Sequence, residues 1–418
     1  MKKRDGVDTM KIFIINAHWY NRGDEAALRA MIDELVLVYP NAEIKVHLIG
    51  GSDYFPYQGN VSLTSGMCPA GGRIKWVDFW MRYISGGKLG FRKESKDFYN
   101  ELKSSDIILH GPGGPSIGDI YITGEFSYLA RYLLAQRARK PYAFFAPSMG
   151  PFKKKKNDYF RRKVLEGASL ITVREPISAE YLKEYNIKKP VYVTLDSAFQ
   201  HPIDKEKYAS QFDSDFGLTG FIQKYEKVIG ITITDLMWNP KYSGNHDLKS
   251  NIIHTFEEVV QELTNSGYGI VFIPQLFGIC NDADFMKKFA NENCYVLPVS
   301  QRNDCYYQQY VIGKMYAVIG MRYHSNIFAA KMGTPFISIS YEQKMAGFMQ
   351  SAGLEQYCIA IDTLSKEKVM DCFERLNREY DVYKKELQSK SVMWQRKAHE
   401  TTDRVVNIIN DLSNNEDK

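Results

Sequence analysis

An arginine and a histidine stand two residues apart, directly after an apolar run, in the segment "AVIGMRYHSN" of residues 317–326. The run predicts a buried strand and the residues after it predict a helix, so Arg322, His324 and Ser325 would lie in the turn between them. Backbone N–H groups and the dipole at the start of a helix favour an anion there. The segment therefore predicts an anion site, although an arginine and a buried histidine can also serve packing alone.

Two further features indicate which ligand this turn could bind and which reaction it could support. Arg322 offers a planar, two-pronged grip on a carboxylate or phosphate, and Lys344, which follows the next predicted strand, adds a third positive group. A protonated His324 beside the bound anion would donate its proton to the ligand or to a leaving group. We predict a small ligand with two or three negative charges.

A second polar turn follows the first predicted strand. The segment "NAHWYNRGDEAALRA" (16–30) ends a strand, passes Asn21, Gly23 and Asp24, and begins a helix. Gly23 permits a tight turn. Asp24 either caps the helix or, at the carboxyl end of the strand, binds sugar hydroxyls and accepts their protons. Both interpretations fit the residues.

Glycines follow a third predicted strand, in "ILHGPGGPSIGD" (108–119). Gly113 and Gly114 would let the backbone pass close to a ligand, or would simply form a tight loop. Their spacing is not the GxGxxG of dinucleotide-binding proteins, so the sequence does not support a dehydrogenase. We interpret His110, in the same segment, as a structural histidine.

Arg174 ends the apolar run "LITVR" (170–174). A guanidinium at the end of a buried strand needs an anionic partner. That partner is either a ligand or a carboxylate of the protein, such as the adjacent Glu175. Asp196 ends the next apolar run in the same way.

The elements that would position these residues alternate along the chain. Short apolar runs that predict strands are separated by patterns that predict helices, which is typical of parallel βαβ units. The alternation stops in the polar stretch 200–225 and then resumes. We therefore predict an α/β protein with two Rossmann-like doubly wound domains, 1–205 and 225–385, that face each other across a ligand cleft. A C-terminal helix and tail would occupy 386–418.

Composition narrows the class of protein. The chain has 418 residues, 44% hydrophobic and 25% charged, which is normal for a folded protein of two domains. A net charge of +5 is small for this length and gives nucleic-acid binding no special support. Six cysteines without a CxxC pair argue against a zinc ribbon or a disulfide scaffold. Because we find no metal-ligand cluster and no apolar run long enough to cross a bilayer, we expect no metal, no membrane span and a cytoplasmic location.

Two segments would suit a membrane surface. Residues 73–93 interleave basic residues with four aromatic ones, Trp76, Phe79, Trp80 and Tyr83. The run "KKKK" (153–156) is compact and positive. Such residues bind lipid interfaces, but an aromatic helix face also packs on a core, and a lysine run is also found in solvated loops. Both segments thus have two interpretations. The first is peripheral membrane association, and the second is packing on a core for the aromatic residues and a solvated loop for the lysines.

Seven segments resemble, in this order, the polysaccharide pyruvyl transferase family. They are "NRGDEAAL", "GPGG", "APSMGPF", "TVREPIS", "LDSAF", "FIPQ" and "VIGMRYHSNIFAAKMGTPFISISYEQK", within residues 11–355. The resemblance implies a fold like that of B-type glycosyltransferases. It also implies transfer of a pyruvyl group from phosphoenolpyruvate to a sugar of a cell-surface polysaccharide, as a ketal. Where the family often has three consecutive glycines, Pro112 interrupts the run.

The resemblance also implies roles for residues. It assigns Arg174, Arg322 and His324 to the donor, and Gly23 with Asp24 to the acceptor side. Combined with the turns described above, the predicted donor site comprises Arg174, Arg322, His324, Ser325 and Lys344. The predicted acceptor site comprises Asn21, Gly23, Asp24, Gly113 and Gly114. His324 would be the general acid, Arg322 would act beside it, and Asp24 would accept hydroxyl protons.

The expected partners follow from this chemistry. Phosphoenolpyruvate is the donor substrate, so no further cofactor is expected, and the acceptor is a saccharide, free or lipid-linked. Two alternatives stay open at this point. One is a B-type glycosyltransferase that places the diphosphate of a nucleotide sugar on Arg322 and the helix start. The other is a carbohydrate-binding relative without catalytic activity.

Overall fold

The chain forms two units, each built on its own parallel sheet. The computed structural model describes residues 9–416 apart from 53, 70–71, 115 and 278–280, with side chains up to residue 412. Residues 1–8, Cys280 and the last two residues of the C-terminal tail lie outside the described residues.

The two units are not contiguous in sequence. The first contains the residues up to Trp19, Ala27–Ser197 and the residues from Ala398 onward. The second contains Tyr20–Ala26 and Ala198–Lys397. Two segments therefore lie in a different unit from the residues next to them in sequence. The loop at 20–26 belongs to the second unit, and the residues from Ala398 onward belong to the first.

Seven strands form the sheet of the first unit, in the order β3-β2-β1-β4-β5-β6-β7, and all neighbours are parallel. The strands are β1 (Lys11–Ala17), β2 (Glu43–Leu48), β3 (Val61–Leu63), β4 (Ile107–His110), β5 (Tyr142–Phe144), β6 (Leu170–Val173) and β7 (Val191–Val193). The helices between them are α1 (Arg22–Val38), α2 (Lys75–Ser85), α3 (Lys93–Ser104), α4 (Ile122–Arg137), α5 (Asp158–Glu166) and α6 (Pro176–Glu184). Strands β1 and β4 are apolar without alternation because both faces of the sheet are covered.

Six strands form the sheet of the second unit, in the order β10-β9-β8-β11-β12-β13, again all parallel. They are β8 (Val228–Thr232), β9 (Gly269–Phe272), β10 (Cys294–Val296), β11 (Ala317–Gly320), β12 (Phe336–Ser340) and β13 (Cys358–Ala360). The helices are α7 (Lys205–Asp213), α8 (Phe216–Ile222), α9 (His246–Asn265), α10 (Asp282–Met286), α11 (Cys305–Lys314), α12 (Tyr323–Met332), α13 (Gln343–Ala352), α14 (Lys366–Arg378) and α15 (Tyr380–Glu416). Helix α15 begins in the second unit and ends in the first.

The strand order reverses once in each sheet, between β1 and β4 in the first unit and between β8 and β11 in the second. Open parallel sheets bind ligands outside the carboxyl ends of the strands at this reversal. The turns that contain the predicted site residues follow these strands: Gly23 comes after β1, Gly113 after β4, and Arg322 after β11. The predicted class, two Rossmann-like doubly wound α/β domains, is confirmed.

The polar stretch 200–225, predicted to be irregular, contains the short helices α7 and α8. Each begins at an aspartate cap, because Asp204 accepts a hydrogen bond from the Lys207 N–H and Asp215 accepts one from the Leu218 N–H. Only one or two side chains per helix are buried, which is too few to give a visible period in the sequence. The prediction of an irregular segment was wrong for this reason.

The aromatic residues of α2 lie on the inner face of the helix. Phe79 is fully buried, and the rings of Trp76, Trp80 and Tyr83 are partly buried against the same core. Trp80 lies beside the ring of Phe160 from α5, with 6.1 Å between ring centroids. The structure shows core packing for these aromatic residues, which is one of the two interpretations, and membrane association of the segment stays a prediction.

Two observations bear on the expected environment of the chain. Within the part of the chain that the structure describes, no helix is both long and apolar enough to cross a bilayer. No disulfide joins any two of the five described cysteines, Cys68, Cys294, Cys305, Cys358 and Cys372.

Candidate active site

Arg322 lies in the turn after β11, as the last residue before α12. Its side chain is buried and paired with Asp282: Nε donates to Oδ2 at 3.0 Å, and Nη2 donates to Oδ1. Nη2 also lies 3.2 Å from the Thr234 hydroxyl oxygen, and the guanidinium is 4.8 Å from the centre of the Trp238 ring. The predicted need for an anionic partner is therefore met, within the described structure, by a carboxylate of the protein itself.

Burial and charge act on Arg322 in opposite directions. Burial by itself would lower the pKa of the guanidinium, because a charged group is costly away from water. The attraction of the Asp282 carboxylate, supported by Tyr341, outweighs burial, and the pKa of Arg322 is raised above its ordinary value. Arg322 is thus a fixed positive charge whose plane is set by Asp282.

Asp282 also holds the loop that follows β9. Its Oδ2 accepts hydrogen bonds from the backbone N–H groups of Gln275 at 3.2 Å and Leu276 at 2.8 Å. The same loop pairs with the turn after β1: the Arg22 N–H donates to the Gln275 carbonyl at 2.8 Å, and Asn21 forms an antiparallel bridge with Leu276. One carboxylate therefore connects Arg322 to the N-terminal turn, and all of these residues belong to the second unit.

The N-terminal turn is built by its own side chains. The Asn21 side-chain oxygen accepts a hydrogen bond from the Gly23 N–H at 2.8 Å, which closes the turn. The Arg22 side chain is buried, donates to the Ser300 carbonyl at 2.6 Å and pairs with Glu25. Asp24 is half-buried in the first turn of α1. The sequence therefore predicted a turn here correctly. The Asn21 side-chain oxygen closes this turn, and the use of Asn21 by the acceptor stays a prediction.

Gly23 lies directly against His324. A Cβ atom built on Gly23 would lie 1.8 Å from Nδ1 of His324 and 2.0 Å from its Cγ, so only glycine fits. His324 is 5% exposed and lies in the first turn of α12, with its ring centroid 4.9 Å from that of Tyr323. The structure thus brings the predicted acceptor motif and the predicted general acid into contact, although they lie far apart in the sequence.

Ser325 has a structural part in the same turn. Its hydroxyl donates to the Arg322 carbonyl at 2.6 Å, and the Thr232 hydroxyl lies 2.7 Å from it, at the end of β8. A Cβ on Gly320 would overlap Asn326 and Ser325, so β11 also reaches the turn only through a glycine. The hydroxyl of Ser325, predicted to bind the donor, is used to hold the start of α12.

Lys344 lies in the first turn of α13. Its ammonium is 2.7 Å from a carboxylate oxygen of Glu342 and 5.4 Å from the centre of the Tyr323 ring. Glu342 in turn accepts from the Asn239 amide at 2.9 Å. Tyr323 separates Arg322 from His324 in sequence, so Lys344 lies beside the predicted turn, paired with a carboxylate.

A pocket of about 400 Å³ opens next to the Arg322–Asp282 pair. Its lining consists of Thr234, Asp235, Met237, Trp238, Asn281, Asp282, Asp284, Phe285 and Lys288. Three of these residues are carboxylates, one is a lysine, and Trp238 contributes an indole ring whose N–H donates to Thr234 at 3.0 Å. Hydroxyl-rich ligands suit such a lining, because carboxylates and amides bind hydroxyl groups while an aromatic face covers C–H groups.

Arg174 belongs to the first unit and is also paired there. Its Nη1 donates to Asp196 at 2.7 Å, and its Nε donates to the Ser148 hydroxyl at 2.8 Å and lies 3.3 Å from Glu175. The sequence left two kinds of partner open for this arginine, a ligand or a carboxylate of the protein. The structure pairs it with carboxylates of the protein. Asp196, noted above as the end of an apolar run, is one of them.

The glycines after β4 differ from one another. Gly111 must be glycine because a Cβ there would lie 2.6 Å from that of Ala17 in β1. Gly113 has φ of +150°, and its carbonyl accepts a hydrogen bond from the Ser148 N–H at 3.1 Å. A Cβ on Gly114 would meet no atom of the described residues within 4 Å. The use of Gly113 and Gly114 by the acceptor stays a prediction.

Three residues of this site were not predicted: Asp282, Thr234 and Trp238. A buried arginine requires a carboxylate, but no spacing rule identifies which of the chain's acidic residues it will be. Thr234 could have been proposed, since it follows β8 at the strand reversal. Trp238 lies in an irregular loop whose path the sequence does not indicate.

The fold is shared with sugar-processing proteins of known structure. UDP-GlcNAc 2-epimerase from Neisseria meningitidis aligns with a TM-score of 0.55 at 12% identity, covering 95% of this chain and all of that one. A ugt transferase from Siraitia grosvenorii aligns with a TM-score of 0.56 at 11% identity, covering 96% of this chain and all of that one. These likenesses support a fold of the B-type glycosyltransferase kind.

Sequence relatives identify the family. Amylovoran biosynthesis protein AmsJ from Erwinia amylovora is 24% identical over 386 residues, which cover 85% of this chain and 89% of that protein. The profile of the family described as "Polysaccharide pyruvyl transferase" matches residues 21–343, from Asn21 of the N-terminal turn to the start of α13. This range contains the Gly23–His324 contact and the Arg322–Asp282 pair. The chain therefore belongs to the polysaccharide pyruvyl transferase family.

Proposed function

We propose that this protein transfers the pyruvyl group of phosphoenolpyruvate to two hydroxyls of one sugar, forming a ketal and releasing phosphate. The observation that carries the proposal is the contact of Gly23 with His324, which stands two positions after the fixed charge of Arg322. Family membership and the relative named for amylovoran biosynthesis support a saccharide acceptor, from a cell-surface polysaccharide or its lipid-linked precursor. We expect the reaction in the cytoplasm, and the scheme requires no cofactor.

The donor would bind at the start of α12. Asp282 takes Nε and Nη2 of Arg322 and sets the plane of the guanidinium, so we assign Nη1 to the carboxylate or phosphate of the donor. The first backbone N–H groups of α12 would supply further donors for the anion. In this scheme Lys344, held by Glu342, adds positive potential. Arg174 of the first unit stays a predicted donor residue.

The reaction balances with the residues assigned. His324 protonates the methylene carbon of the enol, and C2 acquires oxocarbenium character. A sugar hydroxyl attacks C2, and a second hydroxyl displaces phosphate by breaking the C2–O bond. Of the two hydroxyl protons, one replaces the proton that His324 gave and the other leaves with phosphate. Asp24 is the candidate that accepts them on the way.

The acceptor sugar would occupy the pocket beside Arg322. Its three carboxylates are ion-paired, Asp282 with Arg322, Asp235 with Lys249 and Asp284 with Lys287, and their oxygens suit hydroxyl groups as hydrogen-bond donors. Trp238 would cover the face of the sugar ring, while Asp235 and Asn281 would bind hydroxyl groups. Gly23 and Asp24 follow Asn21, which pairs with Leu276, and the Leu276 N–H donates to the lining residue Asp282. Their role on the acceptor side is part of this proposal.

The indole of Trp238 also favours a second candidate, a glycosyltransferase. An aromatic ring in an open pocket after β8 could stack on the base of a nucleotide sugar. The match to the polysaccharide pyruvyl transferase family favours the first candidate, so the glycosyltransferase ranks second. Binding measurements separate the two.

Calorimetric titration with phosphoenolpyruvate and with UDP-sugars tests the donor. Because Arg322→Ala would leave Asp282 buried without its partner, and Asp282 also accepts from the Gln275 and Leu276 N–H groups, the variant is Arg322→Lys, which keeps a positive charge beside Asp282 but removes Nη1. We expect saturable binding of phosphoenolpyruvate that weakens by about 10- to 100-fold in this variant. The matched control is Arg302→Ala, an exposed arginine of the same unit. Binding of UDP-sugars without phosphoenolpyruvate would reject the proposal.

Turnover tests the role of His324. We expect His324→Gln to slow phosphate release by roughly 10²- to 10⁴-fold while phosphoenolpyruvate still binds. His246→Gln, at an exposed position of the second unit, should keep the normal rate. An unchanged rate in His324→Gln would remove this residue from the mechanism.

A further inference from the structure

Helix α2 carries an exposed apolar face opposite its buried aromatic face. Four side chains spaced three, four and three residues apart lie on this outer face, Ile74, Val77, Met81 and Ile84, and they are 52%, 54%, 37% and 72% exposed. Ile74 is the residue before the helix, and the other three lie within it. A surface helix normally keeps its outer face polar, so this face calls for a partner.

The loop after α2 carries two more exposed apolar side chains. Leu89 and Phe91 are 58% and 54% exposed. Six of the large hydrophobic side chains found exposed thus lie in the single short segment 74–91. Scattered exposed hydrophobics are ordinary in proteins, whereas a contiguous group marks an interaction surface. We call these six residues the α2 patch.

A buried ion pair fixes the loop in this position. Asp78 and Arg82, both buried on α2, face each other at 3.4 Å. Asp78 accepts from the backbone N–H of Phe91 at 2.7 Å, and Arg82 donates to the Arg92 carbonyl at 3.1 Å. A Cβ on Gly90 would lie 2.5 Å from the Arg82 guanidinium, so the loop lies directly on it. The fold therefore holds Leu89 and Phe91 in place, although their side chains face solvent.

Basic residues predominate in the segment that carries the α2 patch, although Arg92 is paired with Glu94 just after it. Residues 73–93 contain six basic residues and one acidic residue, the buried Asp78, so this segment carries as much net charge as the whole chain. Arg73, Lys88 and Lys93 are exposed. The exposed lysine run 153–156 leads into α5, which contacts α2 through a hydrogen bond of 2.9 Å between Lys163 and Tyr83.

We propose that the α2 patch docks on an anionic lipid surface. Aliphatic and aromatic side chains would enter the boundary between headgroups and acyl chains, while the basic residues would bind the anionic headgroups. This charge complementarity favours a membrane over a second copy of the chain, because two copies would bring the same positive charges together. The proposal concerns the first unit and does not depend on the chemistry proposed for the second.

Sedimentation with lipid vesicles tests the proposal. We expect the protein to bind vesicles that contain phosphatidylglycerol, not to bind vesicles of pure phosphatidylcholine, and to lose binding as salt is raised. Val77→Glu with Ile84→Glu should reduce the bound fraction at least tenfold. Lys88→Glu with Lys93→Glu should weaken binding by about fivefold or more for each residue. Circular dichroism checks that each variant is folded.

The control changes two equally exposed valines elsewhere, Val382→Glu with Val392→Glu on α15, which are 72% and 62% exposed. These changes should leave vesicle binding unaltered. Equal binding by the α2 variants and the wild type, or no binding to either kind of vesicle, would overturn the proposal. The proposal would also be overturned if the wild type were a dimer and Ile84→Glu converted it to a monomer without changing its binding to lipid vesicles. Phosphoenolpyruvate binding by the same variants, measured separately, shows whether the second unit is intact.

Discussion

At the scale of single residues, the glycine at position 23 has no side chain because an imidazole occupies that space. The Nδ1 atom of His324 lies 1.8 Å from where a Cβ would be, well inside contact distance. The far end of a flexible chain could move away, but His324 is buried at the start of a helix. A side chain at position 23 must therefore displace the histidine or the turn.

We expect Gly23→Ala to lower the free energy of unfolding by about 1–3 kcal/mol, as overpacking does. Gly23→Ala should also slow turnover, by more than the loss of stability alone explains, because His324 would be displaced. The matched control is Gly347→Ala in α13, where a Cβ would meet no atom within 4 Å. That change should be neutral or stabilise by up to about 1 kcal/mol. Urea unfolding and phosphate release check both, and normal turnover in Gly23→Ala would contradict the geometry.

The positions of Arg322, His324 and Gly23 could be predicted from the sequence better than their partners. Each comes after an apolar run at a point where parallel strands end. The sequence predicts a ligand as the partner of Arg322, whereas the structure pairs it with Asp282. Pairing between distant parts of the sequence depends on where a loop folds back, and neither period nor composition contains that information.

At the scale of elements, strand β4 ends in a buried histidine that the fold keeps neutral. His110 is hydrogen-bonded to Ser116 at 3.0 Å and to Tyr132, inside the first unit. Burial, followed by the neighbouring His18 and Arg131, lowers the pKa of His110 to about 3 from 6.5. Burial also lowers the pKa of His47 in β2, so the first sheet contains two such histidines.

These two histidines predict acid sensitivity. Below pH 6.5 the unfolded chain binds a proton on His110 that the folded chain does not bind until about pH 3. The free energy of unfolding therefore falls as pH falls through this window, by at most about 1.4 kcal/mol per pH unit for each histidine. His110→Gln should make the slope shallower, while the exposed His254→Gln should not. Equal slopes in urea unfolding across this pH range would contradict the assignment.

Helix α2 shows what a helical period can and cannot predict. Residues 76, 79, 80 and 83 repeat with the spacing of one helix face, and residues 74, 77, 81 and 84 repeat in the same way on the other. Both faces are apolar, so the sequence indicates a helix but not which face is inside. The size of the aromatic rings decides it, because they fill the space against α4 and α5.

At the scale of the whole molecule, one long helix belongs to both units. The final segment of α15, from Ala398, lies in the first unit, where Val405 and Ile409 join the core formed with β1 and β2. Thr401 and Thr194 are hydrogen-bonded there at 2.7 Å. The first unit is therefore closed by residues that come last in the sequence.

We expect Ile409→Ala to lower the free energy of unfolding by about 2–5 kcal/mol, the usual cost of a large-to-small change in a core. Val392→Ala on the same helix, 62% exposed, should change it by less than about 0.5 kcal/mol. Hydrogen exchange gives the location of the effect: amides of β1 and β2 should lose protection, and those of β8 and β11 should keep it. Equal loss in both sheets would contradict the division into units.

The alternation of strands and helices was enough to predict two doubly wound sheets. It could not predict that residues 20–26 join the second unit, because the turn after β1 reads like any other βα turn. The difference lies in Arg22, Asn21 and their partners after β9, which become neighbours only when the chain is folded.

This exchanged loop has a consequence for synthesis on the ribosome. Residues 20–26 emerge early, but Gln275, Leu276 and His324, which they contact, are made much later. At about 5–20 residues per second, that delay is roughly 15–60 seconds. Strands β1 to β7 can assemble during this time, while the turn that carries Gly23 waits for its partners. The site is thus completed by nearly the first and nearly the last parts of the match to the family, and a nascent chain stopped before residue 324 cannot contain it.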